Sequence, residues 1–187
     1  AQTLRPVSVS CEVISPVSLA RMFKRSNGNV ACVAAEFGPP ISDEPGTVGR
    51  IVQSTPEHGC EPLAGAKDGL YRGAIVVMRR GACYFNTKAV NAQRAGAVGV
   101  VVSQDPDDNT LFPMGIDADA ASFQPEPVSI PSVMISYNDA RILLNETLSK
   151  PVRFGLFGNY GDASGVHDVE SAIPERHPFE LMLRFEQ

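Results

Sequence analysis

The sequence predicts a mixed α/β domain, and three observations in one stretch carry that prediction. Residues 74–78 form a short apolar run rich in β-branched residues, which is typical of a strand buried on both faces. Small and aromatic residues then recur at steps of three or four through residues 85–95, as on the buried side of a helix. Residues 98–102 form a second apolar run. This order predicts a parallel strand pair joined by a right-handed helical crossover.

The ends of this unit are marked by charge, a capping residue and a glycine. Arg79 and Arg80 end the first strand, Asn86 is placed to cap the helix, and Gly96 is placed to stop it. The connecting loop, residues 80–85, follows the strand directly. We therefore expect this loop at the carboxyl edge of the sheet, facing outward.

Upstream of this unit the pattern predicts three further strands and no long helix. Apolar residues alternate with Ser and Glu in the first of them, and the Asn27-Gly28 turn precedes the second. The predicted strands are residues 7–13, 30–36 and 50–53; between them lie a helical turn at residues 18–24 and Pro- and Gly-rich loops at residues 38–49 and 54–72.

Downstream, a strand at residues 133–135 leads into a second helix. Ser136 and Asp139 have the spacing of a capping box, with Asp in place of Glu. The apolar stripe behind this box comprises Ala140, Leu143, Leu144 and Leu148. Alternation predicts two more strands, at residues 152–156 and 179–186, separated by a loop at residues 158–177. The last strand must pair somewhere on the sheet.

Length and charge limit the class of protein. With 187 residues and 43% hydrophobic content, the chain can bury one good core, so we expect a single domain over residues 1–187. A net charge of -5 provides no basic field, so we expect no nucleic-acid partner. The apolar runs are far shorter than the roughly 20 residues that cross a bilayer. We therefore expect no direct membrane insertion by this segment.

Cysteine number and a glycosylation sequon point to an oxidising compartment. Four cysteines allow three pairings, and Cys83 beside Arg79 and Arg80 has the surroundings of a reactive thiol. The lack of a nearby histidine to act as a base favours a disulfide. Asn145 begins the sequon Asn-Glu-Thr and lies away from the centre of the apolar stripe, so it is placed to carry a glycan.

The motifs of common enzymes and metal sites are missing. The three histidines, His58, His167 and His177, fall in predicted loops, and the sequence contains no nucleophile elbow, Cys-x-x-Cys or His-Glu-x-x-His. The acidic run at residues 105–109 fails as an EF-hand, because Thr110 stands where glycine is needed and Ile116 where the bidentate Glu is needed. We therefore expect a protein that is not an enzyme and holds no cofactor or metal.

The central stretch carries a recognisable motif. A strand is followed by Arg-Gly-x-Cys-x-Phe, a lysine, and Ala-Gly-Ala before the next strand; these are Arg80, Gly81, Cys83, Phe85, Lys88 and residues 95–97. This combination resembles the protease-associated (PA) domain family. The likeness extends through residues 105–109, 112–115 and 130–135, and residues 13–19 and 36–39 look like the opening of the PA domain in vacuolar sorting receptors.

The resemblance implies a compact β/β/α fold and a non-catalytic recognition module. We expect a central, partly parallel sheet with the two main helices on one side and further strands on the other. The family has a disulfide that matches Cys60 with Cys83, which leaves Cys11 to pair with Cys32, on a neighbouring strand. In sorting receptors the motif arginine contacts cargo. The expected peptide-binding residues here are Arg80, Gly81, Ala82, Tyr84, Asp105 and Asp107.

The resemblance also sets the expected partners and location. We expect a peptide or protein cargo, in the secretory or endolysosomal lumen or outside the cell, and a place within a larger chain. The family also occurs in proteases, in endoplasmic-reticulum mannosidase-like proteins and in membrane-anchored RING ubiquitin ligases. The alternative is therefore a regulatory or substrate-recruiting domain from a larger enzyme.

Overall fold

The computed structural model describes residues 6, 8–26, 28–116 and 126–160, which form one eight-stranded sheet and three α-helices. The strands are β1 (Ser8–Ser15), β2 (Asn29–Val30), β3 (Cys32–Ala34), β4 (Thr47–Gln53), β5 (Ala74–Arg79), β6 (Gly99–Ser103), β7 (Ser132–Ile135) and β8 (Arg153–Asn159). The helices are α1 (Val17–Ala20), which continues into 3₁₀ turns over Arg21–Ser26, α2 (Phe85–Arg94) and α3 (Tyr137–Thr147). The mixed α/β class is as predicted.

The strand order is β2-β1-β8-β4-β5-β6-β7-β3. The middle of the sheet, β4 to β7, is parallel, and β8 and β1 continue it in antiparallel pairing. The predicted parallel pair on either side of α2 is confirmed, with Val76 opposite Val100. All of β6 and β7 is buried, as expected of strands covered on both faces.

The sheet curls until its two ends meet. β2 and β3 stand at opposite ends of the strand order, yet only Ala31 separates them in the chain. β2 pairs with β1, whereas β3 pairs with β7, so the single strand predicted at residues 30–36 is wrong: Ala31 is the point where the chain changes partner. The Cys11–Cys32 disulfide, with a Cα–Cα distance of 6.3 Å, ties β1 to β3 across this junction.

The curled sheet encloses one apolar core and carries another on its outer face. The inner core includes Cys11, Ile75, Val101, Phe154 and Leu156, from four different strands. The outer core lies where α2 packs on β5 and β6, through side chains that include Ala89, Ala92, Val76 and Val100. The domain therefore has three layers: two halves of the curled sheet and the helix α2. This is the predicted β/β/α arrangement. The core packing of α3 differs from the prediction, because its buried Ala140 and Leu143 belong to the inner core.

The helix ends agree with the sequence in two places and differ in two. Ser136 caps α3, because its Oγ accepts a hydrogen bond from the Asp139 N–H at 3.1 Å, and Gly96 ends α2 with a φ of 89°. Asn86 does not cap α2: the helix already begins at Phe85, and Asn86 is buried within its first turn. Leu148 was wrongly placed in the buried stripe, since α3 ends at Thr147 and Leu148 is 85% exposed.

Two predictions fall outside the described residues. They are the C-terminal strand at residues 179–186 and most of the loop at residues 158–177, including His167 and His177. Within the part of the chain that the structure describes, no helix combines the length and the hydropathy needed to cross a membrane.

Candidate functional site

The Arg-Gly-x-Cys loop connects β5 to α2 at the carboxyl edge of the sheet. The chain reverses over Gly81 (φ 91°) and Ala82 (φ 66°), and a left-handed conformation at an alanine costs about 1 kcal/mol or more. The Cys60–Cys83 disulfide, with a Cα–Cα distance of 5.7 Å, holds the loop immediately after this reversal. Both disulfide pairings that were expected are thus present. The loop is a constrained platform at the sheet edge.

Lys88, in helix α2, holds the loop in place by hydrogen bonds. The side chain is completely buried, and its Nζ donates hydrogen bonds to the carbonyl oxygens of His58 (2.5 Å) and Gly81 (2.8 Å). Nζ also lies 3.7 Å from Cys60 Sγ. Burial lowers the pKa of Lys88 to about 8, so the side chain is an ammonium at neutral and acidic pH. Lys88 and the disulfide therefore join the same two chain segments.

Replacing Lys88 by methionine is expected to lower the free energy of unfolding by about 1–2 kcal/mol. Methionine fills the space but leaves the carbonyls of His58 and Gly81 without their donor. Urea denaturation at pH 7 measures the change. Lys150→Met is the matched control, because Lys150 is exposed and has only a surface ion pair with Glu146; its effect should stay below about 0.5 kcal/mol.

A comparison of the wild type with Lys88→Met at different pH values tests the lowered pKa of Lys88. The pKa of Lys88 in the folded state is about 8, below its ordinary value of 10.5, so the unfolded chain binds more protons between those values. The stability of the wild type relative to Lys88→Met should therefore rise from pH 8 to pH 10. A constant difference over this range would contradict the lowered pKa of Lys88.

The guanidinium group of Arg80, at the start of the loop, is held by contacts to one of its nitrogens, Nη1. Nη1 donates to Gln104 Oε1 at 2.6 Å and to Asp108 Oδ2 at 3.3 Å, and it lies 3.7 Å from Asp105 Oδ2. The guanidinium carbon also stands 5.0 Å from the centre of the Phe112 ring, at cation–π distance. The side chain remains 31% exposed. Arg80 is thus oriented rather than freely solvated.

The acidic turn after β6 supplies these contacts because Gln104 organises it. Gln104 is fully buried; its Oε1 also accepts from the Asp105 N–H, and its Nε2 donates to the Thr110 carbonyl. The pKa of Asp108 is lowered, chiefly by the hydrogen bond from the Thr110 N–H and to a smaller extent by Arg80. Asp108 therefore stays ionised below the usual carboxyl range, and the Arg80 contact persists at mildly acidic pH.

The structure brings together most of the expected peptide-binding residues. Gly81 and Ala82 are exposed at the loop tip, Tyr84 is 48% exposed beside them, and Asp105 contacts Arg80. Asp107 is exposed in the same turn, but the contacts to Arg80 come from Asp105 and Asp108. Asp105 was expected to contact a peptide; in this structure it lies beside Arg80, together with Asp108.

Three residues of the site were not expected from the sequence as partners of Arg80. Asp108 lies in the acidic run at residues 105–109, but nothing in the sequence indicated that it would contact Arg80. The same holds for Gln104 and Phe112. Phe112 also packs edge-on against Phe85, at a ring-centre distance of 6.0 Å, which links the loop to the first turn of α2. The Arg80 surface is defined here as Arg80, Gly81, Ala82, Tyr84 and Asp105.

The described residues provide donors and carboxylates without an assembled catalytic group. No cluster of three or more His, Cys, Asp or Glu side chains that could hold a metal ion occurs in the described part of the chain. His58 lies near the loop, with Nε2 3.7 Å from Glu57 Oε1 and with Nδ1 buried and unpartnered. What this arrangement can do chemically is donate hydrogen bonds to carbonyl or carboxylate oxygens.

Asn145 is exposed on the last turn of α3, as the helix pattern predicted. The hydroxyl of Thr147, the third residue of the sequon, donates to the Leu144 carbonyl at 2.6 Å. The side chain of Asn145 is therefore accessible, and its glycosylation stays a prediction.

The fold and the loop together define a β/β/α domain with a disulfide-held Arg-Gly-x-Cys loop at the sheet edge. The model of the PA domain family matches residues 47–143, more than half of the chain, and the chain belongs to this family. The resemblance in the sequence is thereby confirmed at the level of the family.

The curated relatives are longer proteins, and this chain matches only a part of each. The chain is 33% identical over 130 residues to the E3 ubiquitin-protein ligase RNF13 of Homo sapiens, covering 68% of this chain and 33% of that protein. It is 30% identical over 152 residues to ER degradation-enhancing alpha-mannosidase-like protein 3 of Xenopus laevis, covering 78% of this chain and 16% of that protein. The chain thus spans about a third or less of these relatives.

Solved structures with the same fold come from peptidases. The zinc aminopeptidase BSAP from Bacillus subtilis superimposes with a TM-score of 0.54 at 18% identity, covering 80% of this chain and 30% of that one. A peptidase M28 precursor from Shewanella amazonensis gives a TM-score of 0.55 at 18% identity, with coverages of 83% and 35%. At this identity the likeness establishes the fold alone.

Proposed function

We propose that this domain is a non-catalytic recognition module of a larger protein and that its Arg80 surface binds an extended peptide segment of a protein cargo. Membership of the PA family supports the module, because relatives carry the same domain beside quite different activities. The geometry of Arg80 supports the binding role.

One observation carries the proposal: Arg80 is anchored through Nη1 alone. All described hydrogen bonds and ion pairs of its side chain use that nitrogen, and among the described residues none accepts a hydrogen bond from Nε or Nη2. An arginine presents five N–H donors in a rigid planar fork, so a bound carbonyl or carboxylate can use the donors that remain. The anchored side chain loses little entropy on binding.

The surroundings suit an extended backbone. The exposed Tyr84 ring gives a flat apolar surface next to Gly81 and Ala82, which carry little side chain to obstruct a ligand. The loop is already constrained by the disulfide and by Lys88, so binding requires little reordering. A few backbone hydrogen bonds and one charged contact are then enough for micromolar affinity.

The cysteines support a luminal or extracellular compartment. All four cysteines form disulfides, which are typical of the secretory pathway and the cell exterior. We place the domain in a luminal or extracellular setting, as part of a longer chain. The particular likeness to vacuolar sorting receptors stays a prediction, since the relatives described above are a ubiquitin ligase and a mannosidase-like protein.

The second candidate is a substrate-recruiting domain of a larger enzyme, and these relatives favour it. In that case the Arg80 surface would bind the enzyme's client, and activity would reside elsewhere in the chain. The residues encoded beyond the two ends distinguish the candidates: a membrane span with a RING motif indicates a ligase, a glycosidase domain a mannosidase-like protein, and EGF-like repeats a receptor.

Replacing Arg80 by lysine is expected to weaken peptide binding by about 10-fold or more while the domain stays folded. Lysine can reach Gln104 and Asp108 with its single nitrogen, but it lacks the planar donors Nε and Nη2. Loss of a charge-assisted hydrogen bond of about 1.5–3 kcal/mol corresponds to roughly 10- to 150-fold. The measurement is calorimetric titration with a 12-residue peptide selected from a displayed random library against the wild-type chain.

Arg80→Ala and Arg79→Gln complete the series. Alanine removes the anchoring contacts as well, so it should weaken binding by the same 10- to 150-fold and also lower the melting temperature. Arg79, whose contact is with Glu57, should matter much less for this peptide. Equal affinity of wild type and Arg80→Lys would place peptide binding elsewhere on the domain.

A further inference from the structure

A second cleft, of about 320 Å³, lies at the same carboxyl edge but on the inner side of the sheet. Its wall on the sheet side comes from Gln53, Arg79 and Ser103, the last residues of three neighbouring parallel strands. Tyr137 and Arg141 of α3 form the opposite wall. Ligands of parallel sheets bind at the carboxyl ends of strands, and a cleft of this size accommodates one or two residues of a peptide.

The cleft joins an apolar floor to a cationic rim. Val77 and Leu144 line the floor, and Leu148 stands at the rim with 85% of its surface exposed. A large apolar side chain with this exposure has little to contact in the described part of the domain. It offers a surface that a ligand can cover.

The charges of the cleft are not balanced. Arg79 Nη1 lies 3.3 Å from Glu57 Oε1, and this is the ion pair of Arg79 within the described residues. Arg141 is exposed and has no acidic partner among them. Two arginines therefore face one carboxylate in the cleft, so an anionic ligand group would be attracted there even though the domain as a whole is acidic.

Arg79 also has an unused donor. Its Nε is buried and has no hydrogen-bond acceptor in the described structure, although the tip of the side chain is partly exposed. A buried donor without an acceptor lowers stability, and native structures rarely keep one. The side chain is 40% exposed, so an acceptor oxygen entering the cleft meets the tip of the guanidinium rather than Nε.

We propose that this cleft binds the C-terminal carboxylate of a peptide that ends in an apolar residue. The carboxylate pairs with the exposed part of the Arg79 guanidinium and with Arg141, and the last side chain covers Leu144 and Leu148. An aliphatic side chain and a carboxylate on the same residue occur at a chain terminus, whereas an internal acidic residue carries no apolar group of its own. The cleft is separate from the Arg80 surface and does not depend on the function proposed for it.

The probe is the tripeptide acetyl-Ala-Ala-Leu with a free carboxylate, titrated into the ¹⁵N-labelled 187-residue chain and followed by NMR chemical shifts. We expect saturable shifts at Gln53, Arg79, Ser103 and Arg141, with a dissociation constant on the order of 1 mM for so small a ligand. The same tripeptide with an amidated C-terminus should bind at least about 10-fold more weakly, and acetyl-Ala-Glu-Ala amide tests an internal carboxylate.

Arg141→Gln should weaken binding of the free-acid tripeptide about 10-fold, because it removes a charge from the exposed face of α3 and glutamine is a good helix former. Arg72→Gln is the matched control: Arg72 is exposed and precedes the opposite, amino-terminal end of β5. Its affinity should equal that of the wild type. Equal binding of acid and amide, or stronger binding of the internal glutamate peptide, overturns the proposal; so does unchanged affinity in Arg141→Gln with its fold confirmed by circular dichroism.

Discussion

Phe154→Ala is expected to lower the free energy of unfolding by about 3–5 kcal/mol, the cost typical of removing a large aromatic side chain from a core. Phe154 is fully buried in β8 and lies between Val13 of β1 and Gly49 of β4. It therefore fills the inner core at the place where the antiparallel wall joins the parallel one. Alanine would leave a cavity that the surrounding strands can close only in part.

The measurement is equilibrium denaturation in urea, with Phe157→Ala as the matched control. Phe157 lies three residues further along the same strand, is only partly buried, and does not belong to the inner core, so its truncation should cost clearly less. Equal destabilisation by the two variants would show that the inner core does not depend on Phe154. An unfolded Phe154→Ala protein is compatible with the expectation, because a loss at the upper end approaches the total stability of many domains.

The double variant Cys60→Ser, Cys83→Ser is expected to lose about 3 kcal/mol and, in addition, most of its affinity for a peptide bound at the Arg80 surface. The disulfide spans 23 residues, and closing a loop of that length stabilises a fold by about 3 kcal/mol in the chain-entropy model. Without it, the left-handed pair Gly81 and Ala82 is held by fewer contacts, among them the Lys88 hydrogen bond to the Gly81 carbonyl. A mobile loop loses more conformational entropy when it binds a ligand, so its affinity is lower.

The other disulfide is the control for this prediction. Cys11→Ser, Cys32→Ser opens a loop of similar length, 21 residues, so the loss of stability should again be about 3 kcal/mol. That bridge joins β1 to β3 and does not touch the Arg80 surface, so peptide affinity should be unchanged at a temperature where both variants are folded. If the two double variants lost affinity equally, the effect would be one of global stability rather than of loop position.

The central unit could be predicted from the sequence because its signals are local. Apolar runs marked β5 and β6, helical spacing marked α2, and Gly96 marked the helix end. Ser136 identified the start of α3 for the same reason, since a capping hydrogen bond spans only three residues. The sequence was insufficient where two neighbouring residues could start a helix. Asn86 is of a type that often caps helices, but the N-cap position of α2 is occupied by Tyr84.

The closure of the sheet could not be predicted, because it depends on which strands pair over long separations. The residues around Ala31 read as one strand, and only the partners β1 and β7, roughly 20 and 100 residues away along the chain, divide it into two. The side of the sheet on which α3 packs likewise follows from the path of the curled sheet. Neither property leaves a periodic mark in the sequence.

The candidate site was predictable in part. The motif located Arg80, the reversal and the disulfide, but it gave no indication that the acidic turn would fold back and pair with Arg80. That contact depends on Gln104, whose amide is buried and satisfied in a turn that only the three-dimensional structure defines. Lys88 shows the same limit: lysine is ordinarily an exposed residue, and its burial follows from the two carbonyls that receive its hydrogen bonds.

The meeting of the sheet ends has a consequence for the resistance of the domain to aggregation. Strand edges are the places where sheets of different molecules join and begin to aggregate, and proteins limit this by keeping edge strands short. In the described sheet the two terminal strands have only two and three residues, and the Cys11–Cys32 disulfide fastens the junction between them. An extended chain that meets this domain therefore finds little backbone on which to build an intermolecular sheet.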